Sequence, residues 1–299
     1  MRLCSSTSRT AGVFLTALAG TMVTDPTYDR KTGSWRLNMP EGCGSLEHLP
    51  HVGSTKLHSN DGVLPALPDG SHLELFEDGS IDEGVGGRVW RGSGFLCQYL
   101  RDHPELVRGA QVLELGAGTG VSGLYAAFSG ASHVVLTDGG PSEVVDVIAV
   151  NIERHAPRFP VGTSAAAGAY RFGEEPLPVG AFEVVIGSDI TYSVREERDA
   201  LCQTLVPLLQ SGSRVVMAHE HRRSTMFDID TILENQPAAL WQENDYALQI
   251  FLAAADDAGL QVAPVCTRPG ERALGDDGAV YMSLDLSILE VTLAPSVEV

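Results

Sequence analysis

Val112-Leu113-Glu114-Leu115-Gly116-Ala117-Gly118-Thr119-Gly120 runs an apolar stretch into three glycines on alternate positions. The first four residues read as a buried strand, and Val121 to Phe128 reads as a helix. Glycine between them lets a backbone approach a ligand closely. In a doubly wound sheet, ligands sit at the carboxyl ends of the strands, near the point where strand order reverses. The register is E-x-G-x-G-x-G; the dinucleotide fingerprint G-x-G-x-x-G would need glycine at Val121, for which Gly123 is a loose substitute. Val134-Val135-Leu136 supplies a second strand, and Asp138 follows it, 18 residues past Gly120. A carboxylate there can accept hydrogen bonds from both ribose hydroxyls of an adenosine. Alone, the glycine run is weak and the acid reads equally well as a turn residue. Together, in this strand context, they point to a nucleoside cofactor.

Working outward, Pro141 to Arg154 reads as a helix, Phe182 to Ile186 as a strand, Glu196 to Leu209 as a helix and Val215-Val216-Met217 as a strand. A helix carrying Tyr246, Ile250, Phe251, Ala254 and Ala258 on one stripe then precedes strands near Val262 and from Tyr281 to Leu293. This alternation demands a mostly parallel sheet covered on both faces. Upstream, His72 to Phe76 alternates, Asp78-Gly79 supplies a turn and Gly87-Arg88-Val89-Trp90 offers a return strand, so a small β-hairpin is expected. Phe95, Leu96, Tyr99 and Leu100 recur at helical spacing. Residues 1–65 read as a poorly structured N-terminal extension, and 66–299 as the folded domain. Glu220 to Asn244 is charged and irregular.

The 43% hydrophobic content supports one substantial core, and the formal charge of −19 disfavours nucleic acid as a partner, because phosphate binding needs clustered Lys and Arg. A cationic partner fits better. Cys4, Cys43, Cys97, Cys202 and Cys266 are odd in number and form no C-x-x-C pair, so neither a disulfide framework nor a zinc site is indicated. A reducing, cytoplasmic setting is expected. The acid-poor stretch before Asp25, with Arg2, Arg9 and an apolar run from Ala11 to Gly20, has the look of an organelle transit segment, and this stands as the alternative. That run is too short to span a bilayer, and no membrane partner is expected.

A second constellation, Ser188-Asp189-Ile190-Thr191-Tyr192, directly follows the strand Phe182 to Gly187. In isolation, Asp189 reads as a helix cap and Tyr192 as packing. At a strand end beside the glycine loop, they face the cleft instead. His219 and His221, after the fifth strand, share one face of an extended chain, yet no third ligand stands at useful spacing, so no metal site is expected. A loop lining the cleft is the better reading of His219-Glu220-His221-Arg222-Arg223.

In order, Gly87-Arg88-Val89-Trp90, the glycine motif, Leu136-Thr137-Asp138, Val150-Asn151-Ile152 and Ile186-Gly187-Ser188-Asp189-Ile190-Thr191-Tyr192 resemble the seven-β-strand protein lysine methyltransferases of methyltransferase family 16. The resemblance implies an α/β, Rossmann-like, seven-stranded and mostly parallel sheet with helices on both faces. It also implies S-adenosyl-L-methionine as cofactor and a protein bearing a target lysine as partner. By the same resemblance, Trp90 and the loop of Glu114, Gly116, Ala117, Gly118 and Gly120 flank the methionine part of the cofactor. Asp138 holds the ribose, Phe172 lies beside the adenine, Ser188 joins the cofactor side, and Asp189 and Tyr192 border the lysine channel as the catalytic pair. Where the family has tryptophan followed by glycine, this chain has Phe172-Gly173, which keeps an aromatic face for the adenine.

The implied chemistry is an in-line displacement that mainly requires a neutral amine placed against a methyl carbon. A carboxylate near the amine favours the ammonium form, so Asp189 orients the substrate rather than acting as a strong base. Tyr192 offers one hydrogen bond and a ring face for the cation. The competing readings are a methyltransferase for a small molecule or another protein side chain, a nicotinamide oxidoreductase, and a non-catalytic cofactor-binding scaffold.

Overall fold

The computed structural model describes residues 27–29, 34–36, 64–79, 81, 86–174, 181–191, 195–221, 223–224, 245–270, 272–274, 280–283 and 285–295. The chain divides into two units, Met1–Leu49 and Pro50–Val299. In the first, Thr27–Asp29 pairs antiparallel with Ser34–Arg36.

The second unit is built on one large sheet. Its strands are β1 (Gln111–Leu115), β2 (His133–Asp138), β3 (Ser164–Ala169), β4 (Val184–Ser188), β5 (Arg214–Glu220), β6 (Leu260–Arg268) and β7 (Leu286–Leu293). Their order is β3-β2-β1-β4-β5-β7-β6. The first five strands are mutually parallel, and β7 runs antiparallel to both β5 and β6. Pro264 lies on the edge strand β6, where a missing amide donor is tolerated, next to a bulge at Ile288/Leu289.

Near-continuous apolar strands bury both faces. In β1, Val112 joins one core cluster and Leu113 and Leu115 the other; Val216 and Met217 divide in the same way in β5. The first cluster takes Leu96 and Leu100 of α1 (Arg91–Asp102), Leu124 of α2 (Val121–Phe128) and Ile148 of α3 (Ser142–His155). The second takes Leu201 and Leu205 of α4 (Arg195–Gln210) and Phe251 of α5 (Tyr246–Asp257). Period-two side-chain alternation thus sends successive residues of one strand to opposite helix layers.

Two expectations need correction. The Tyr281–Leu293 strand is two strands: Val280–Ser283 pairs with Arg272–Leu274 and Arg223–Ser224 in a separate three-stranded sheet, and β7 starts at Leu286. The hairpin is also absent as a ladder among the described residues. Asp78 N–H reaches the Gly87 carbonyl at 3.0 Å, but no strand runs through 72–76 or 87–90.

Side chains of α3 take the place of a return strand. Asn151 accepts from Phe76 N–H through Oδ1 at 2.7 Å and donates to the Phe76 carbonyl at 3.0 Å and the Thr119 carbonyl at 2.9 Å. His155 Nε2 lies 2.9 Å from the Glu74 carbonyl oxygen. These bonds engage the main chain at Glu74 and Phe76, a single bridge residue stands at Leu75, and Leu73 and Leu75 are buried. Asn151→Ala strands one buried and two part-buried backbone groups and is expected to cost about 2–3 kcal/mol in a urea unfolding titration. A loss under about 1 kcal/mol would show that the clamp is dispensable.

Candidate active site

The turn after β1 holds all three motif glycines in the left-handed region, at φ 62° for Gly116, 54° for Gly118 and 79° for Gly120. L residues rarely adopt that backbone, so a substitution there is strained whatever the space available. Space is short as well: a Cβ on Gly116 would stand 2.5 Å from Ile190 Cγ2, and one on Gly118 would stand 3.1 Å from the Gly86 carbonyl oxygen. The loop is fixed from β2. Ala117 N–H donates to the Thr137 carbonyl at 2.9 Å, and Gly118 N–H donates to Asp138 Oδ2 at 2.9 Å. Asp138 Oδ1 accepts from Gly140 N–H at 2.8 Å. Each carboxylate oxygen keeps a further lone pair for another donor.

Glu114 has a different role from the one its place in the motif implies. It is 1% exposed, and its Oε2 accepts from Gly123 N–H of α2 at 2.8 Å. It braces the helix behind the loop. Burial pushes its carboxyl up to about 8 from an ordinary 4.5, against the lowering effect of the Gly123 hydrogen bond. Because the folded value is raised, this contribution to stability is complete below 4.5 and is lost as pH rises through about 8. Glu114→Gln, neutral at every pH, should therefore gain on the wild type in melting temperature between pH 5 and 8.5; parallel melting curves would contradict the assignment.

Across the switch point between β1 and β4, Ser188 ends its strand with Oγ 2.7 Å from Ser93 Oγ of α1. Asp189 follows at φ 53°, the one described non-glycine residue with positive φ. β5 holds it there: its N–H donates to the Ala218 carbonyl at 2.9 Å, and its Oδ1 accepts from Glu220 N–H at 2.8 Å. The residue is 4% exposed, and Oδ2 has no hydrogen-bond partner among the described residues. That oxygen lies against the first turn of α1, where a Cβ on Gly92 would come within 2.5 Å of it. Arg91 Nε stands 3.4 Å from Glu220 Oε1 beside it.

On the opposite face of the β5 end, His219 and His221 both reach Asp245, the N-cap of α5. Asp245 Oδ2 lies 2.6 Å from His219 Nε2 and 2.8 Å from His221 Nδ1, while Oδ1 accepts from Leu248 N–H at 3.2 Å. Burial raises the Asp245 carboxyl, but the two imidazole hydrogen bonds outweigh it and hold the group well below the usual carboxylate range. Among the described residues, these three form a group of metal-ligand type.

The structure brings Gly116, Ala117, Gly118, Gly120, Asp138, Ser188 and Asp189 together at the carboxyl ends of β1, β2 and β4. Phe172 sits there too: a Cβ on Gly116 would be 3.6 Å from its Cζ. Trp90, at the N-cap of α1, is 39% exposed, so it is not core filling. Tyr192 and Arg222 lie outside the described residues. Asp245 was missed, because 24 residues separate it from His221 and only its capping position in front of Tyr246 marks it in the chain. Asn151 was noted only as part of a pattern, without its clamp.

A parallel sheet of this order with its last strand reversed, a glycine loop after β1 and an acid after β2 define a Rossmann-like domain of the class I methyltransferase type. A family model described as lysine methyltransferase matches residues 68–230, more than half of the chain. The chain belongs to that family. It is 33% identical over 166 residues to a calmodulin-lysine N-methyltransferase of Arabidopsis thaliana, covering 54% of this chain and 53% of that protein. It is 35% identical over 138 residues to the protein N-lysine methyltransferase METTL21A of Danio rerio, covering 45% and 60% respectively. With the EEF1A lysine methyltransferase 3 of Xenopus tropicalis the figures are 28% over 184 residues, 60% and 79%. The chain thus spans 53% and 60% of the lengths of the first two relatives.

Proposed function

We propose that this chain transfers a methyl group from S-adenosyl-L-methionine to a lysine side chain of a protein substrate. Family membership and the relatives' activities support the reading. The observation that carries it is Asp189 Oδ2, a buried carboxylate oxygen with no hydrogen-bond donor among the described residues, set across the switch point from the glycine loop. A substrate amine supplies the missing donor. The cradle suits the cofactor: the side-chain-free loop admits the methionine part beside exposed Trp90, Asp138 offers lone pairs to the ribose hydroxyls, and Phe172 offers a ring face to the adenine.

When bound, the cofactor supplies an electrophilic sulfonium methyl. The protein's own part is placement. Asp189 orients the amine, its carboxylate fixed by β5 on one side and packed on α1 on the other. Ser188 and Ser93 line the same wall. In this reading Tyr192 borders the lysine channel, where its ring holds the ammonium before deprotonation. The net charge of −19 suits a lysine-bearing partner, and the free thiols of Cys97, Cys202 and Cys266 suit a reducing compartment such as the cytoplasm. Among the described residues, no helix is long and apolar enough to cross a membrane.

The test is to incubate the full chain with isotopically labelled donor and a cellular protein extract, then map the label by mass spectrometry. Label on lysine Nζ of a protein is expected. Label only on small molecules, or on another side chain, would overturn the proposal.

A further inference from the structure

The buried polar residues beyond the cleft form one continuous chain. Thr191 Oγ1, two residues after Asp189, lies 2.6 Å from His219 Nδ1. His219 Nε2 and His221 Nδ1 meet on Asp245 Oδ2, His221 Nε2 lies 2.7 Å from Ser287 Oγ of β7, and that oxygen lies 2.9 Å from Thr267 Oγ1 of β6. His219, Thr191, His221, Asp245 and Ser287 are all buried.

The protons have one natural arrangement when both imidazoles are neutral. An ionised Asp245 only accepts, so His219 carries hydrogen on Nε2 and His221 on Nδ1, which makes them opposite tautomers. Their remaining nitrogens then accept from the Thr191 and Ser287 hydroxyls, and Thr267 donates to Ser287. Every member is satisfied, the condition under which a buried network rigidifies its surroundings. A metal is the competing occupant. Ligands at tetrahedral zinc distances would stand about 3.3 Å from one another, whereas Asp245 Oδ2 is 2.6 and 2.8 Å from the two nitrogens, as in direct hydrogen bonds.

We infer that His219, His221 and Asp245 form a positioning network that sets the Asp189–Thr191 turn, and with it the amine-facing carboxylate. β5 grips that turn at three points. The Ala218 carbonyl and the Glu220 N–H hold Asp189, and the ring of His219 between them holds Thr191. This grip retains a non-glycine residue at φ 53° in place of a relaxed loop. The catalytic part of this inference rests on the proposed methyl transfer; the structural part does not.

Three measurements on the full chain separate the two. Nitrogen-detected NMR of the imidazoles should show His219 protonated at Nε2 and His221 at Nδ1, with both protons exchanging slowly; the reverse tautomers, or loss of both signals on adding zinc(II), would overturn the network. In Thr191→Val, exchange of the Glu220 amide, which reports the Asp189 grip, should accelerate at least about tenfold and return to wild-type behaviour in Thr191→Ser. Unchanged exchange would overturn the positioning role. With a methylated protein substrate in hand, Thr191→Val should lose at least about tenfold in kcat, with KM and donor affinity within about twofold, and Thr191→Ser should restore it. Full kcat in the valine variant would refute the catalytic part. Absence of lysine methylation by the wild type would instead strike the proposed function.

Discussion

Asp189→Asn is expected to lower methyl transfer at least about a hundredfold while leaving affinity for S-adenosylhomocysteine within about threefold. The amide keeps the acceptor for Glu220 N–H, now 2.8 Å from Oδ1, so the turn survives. What changes is the oxygen without a partner. An amide nitrogen there presents a donor to an incoming amine donor and also turns hydrogen toward the first turn of α1, whose own amides point outward with positive dipole. Asp189→Ala should be as inactive and also less stable, because it removes the buried acceptor of the Glu220 amide. Single-turnover kinetics with a calorimetric titration separate the two effects. Equal losses in donor affinity and rate would move Asp189 to the cofactor side of the cleft.

Asp138→Ala should weaken S-adenosylhomocysteine binding at least about a hundredfold, close to 2.7 kcal/mol. Two backbone amides, Gly118 at 2.9 Å and Gly140 at 2.8 Å, lose a charged acceptor at once. That loosens the glycine loop as well as removing the proposed ribose partner, so the expected effect exceeds that of one hydrogen bond. Asp138→Asn keeps the shape and one acceptor and should fall between. A calorimetric titration gives the number; unaltered affinity in the alanine variant would remove Asp138 from the binding site.

The parts of this fold that were legible are those where burial enforces a pattern. β1, β4 and β5 lie in the middle of the sheet and must be apolar on both faces, so their runs stand out, and α2 was bounded at Val121 and Phe128 as observed. β3 was not assigned at all. Ser164-Ala165-Ala166-Ala167-Gly168-Ala169 carries neither β-branched nor aromatic residues, and as an edge strand it is held by its pairing with β2 rather than by side-chain preference. The expected hairpin failed for the opposite reason: alternation in His72 to Phe76 was real, with Leu73 and Leu75 buried, but Asn151 and His155 from a remote helix take the main chain at Phe76 and Glu74. Local pattern reports which side chains are buried, not what pairs with the main chain.

The site divides along the same line. Gly116, Gly118 and Gly120 were legible because a tight turn at positive φ favours glycine, and Asp138 because its spacing follows from one crossover helix. Glu114 was assigned to the cofactor by motif alone; its place inside β1, one residue before the strand's end, turns it toward α2 instead. The histidine pair was visible, but its meaning was not, since Asp245 enters from the cap of a helix 24 positions further along the chain.

The proposed function requires the glycine loop and Asp138 to grip the nucleoside of an activated methionine. Isothermal titration of the intact chain with S-adenosylhomocysteine, with NAD as the comparison ligand, tests this most directly. Saturable binding at one site per chain with no heat from NAD is predicted. No heat from S-adenosylhomocysteine, or saturation by NAD, would contradict it.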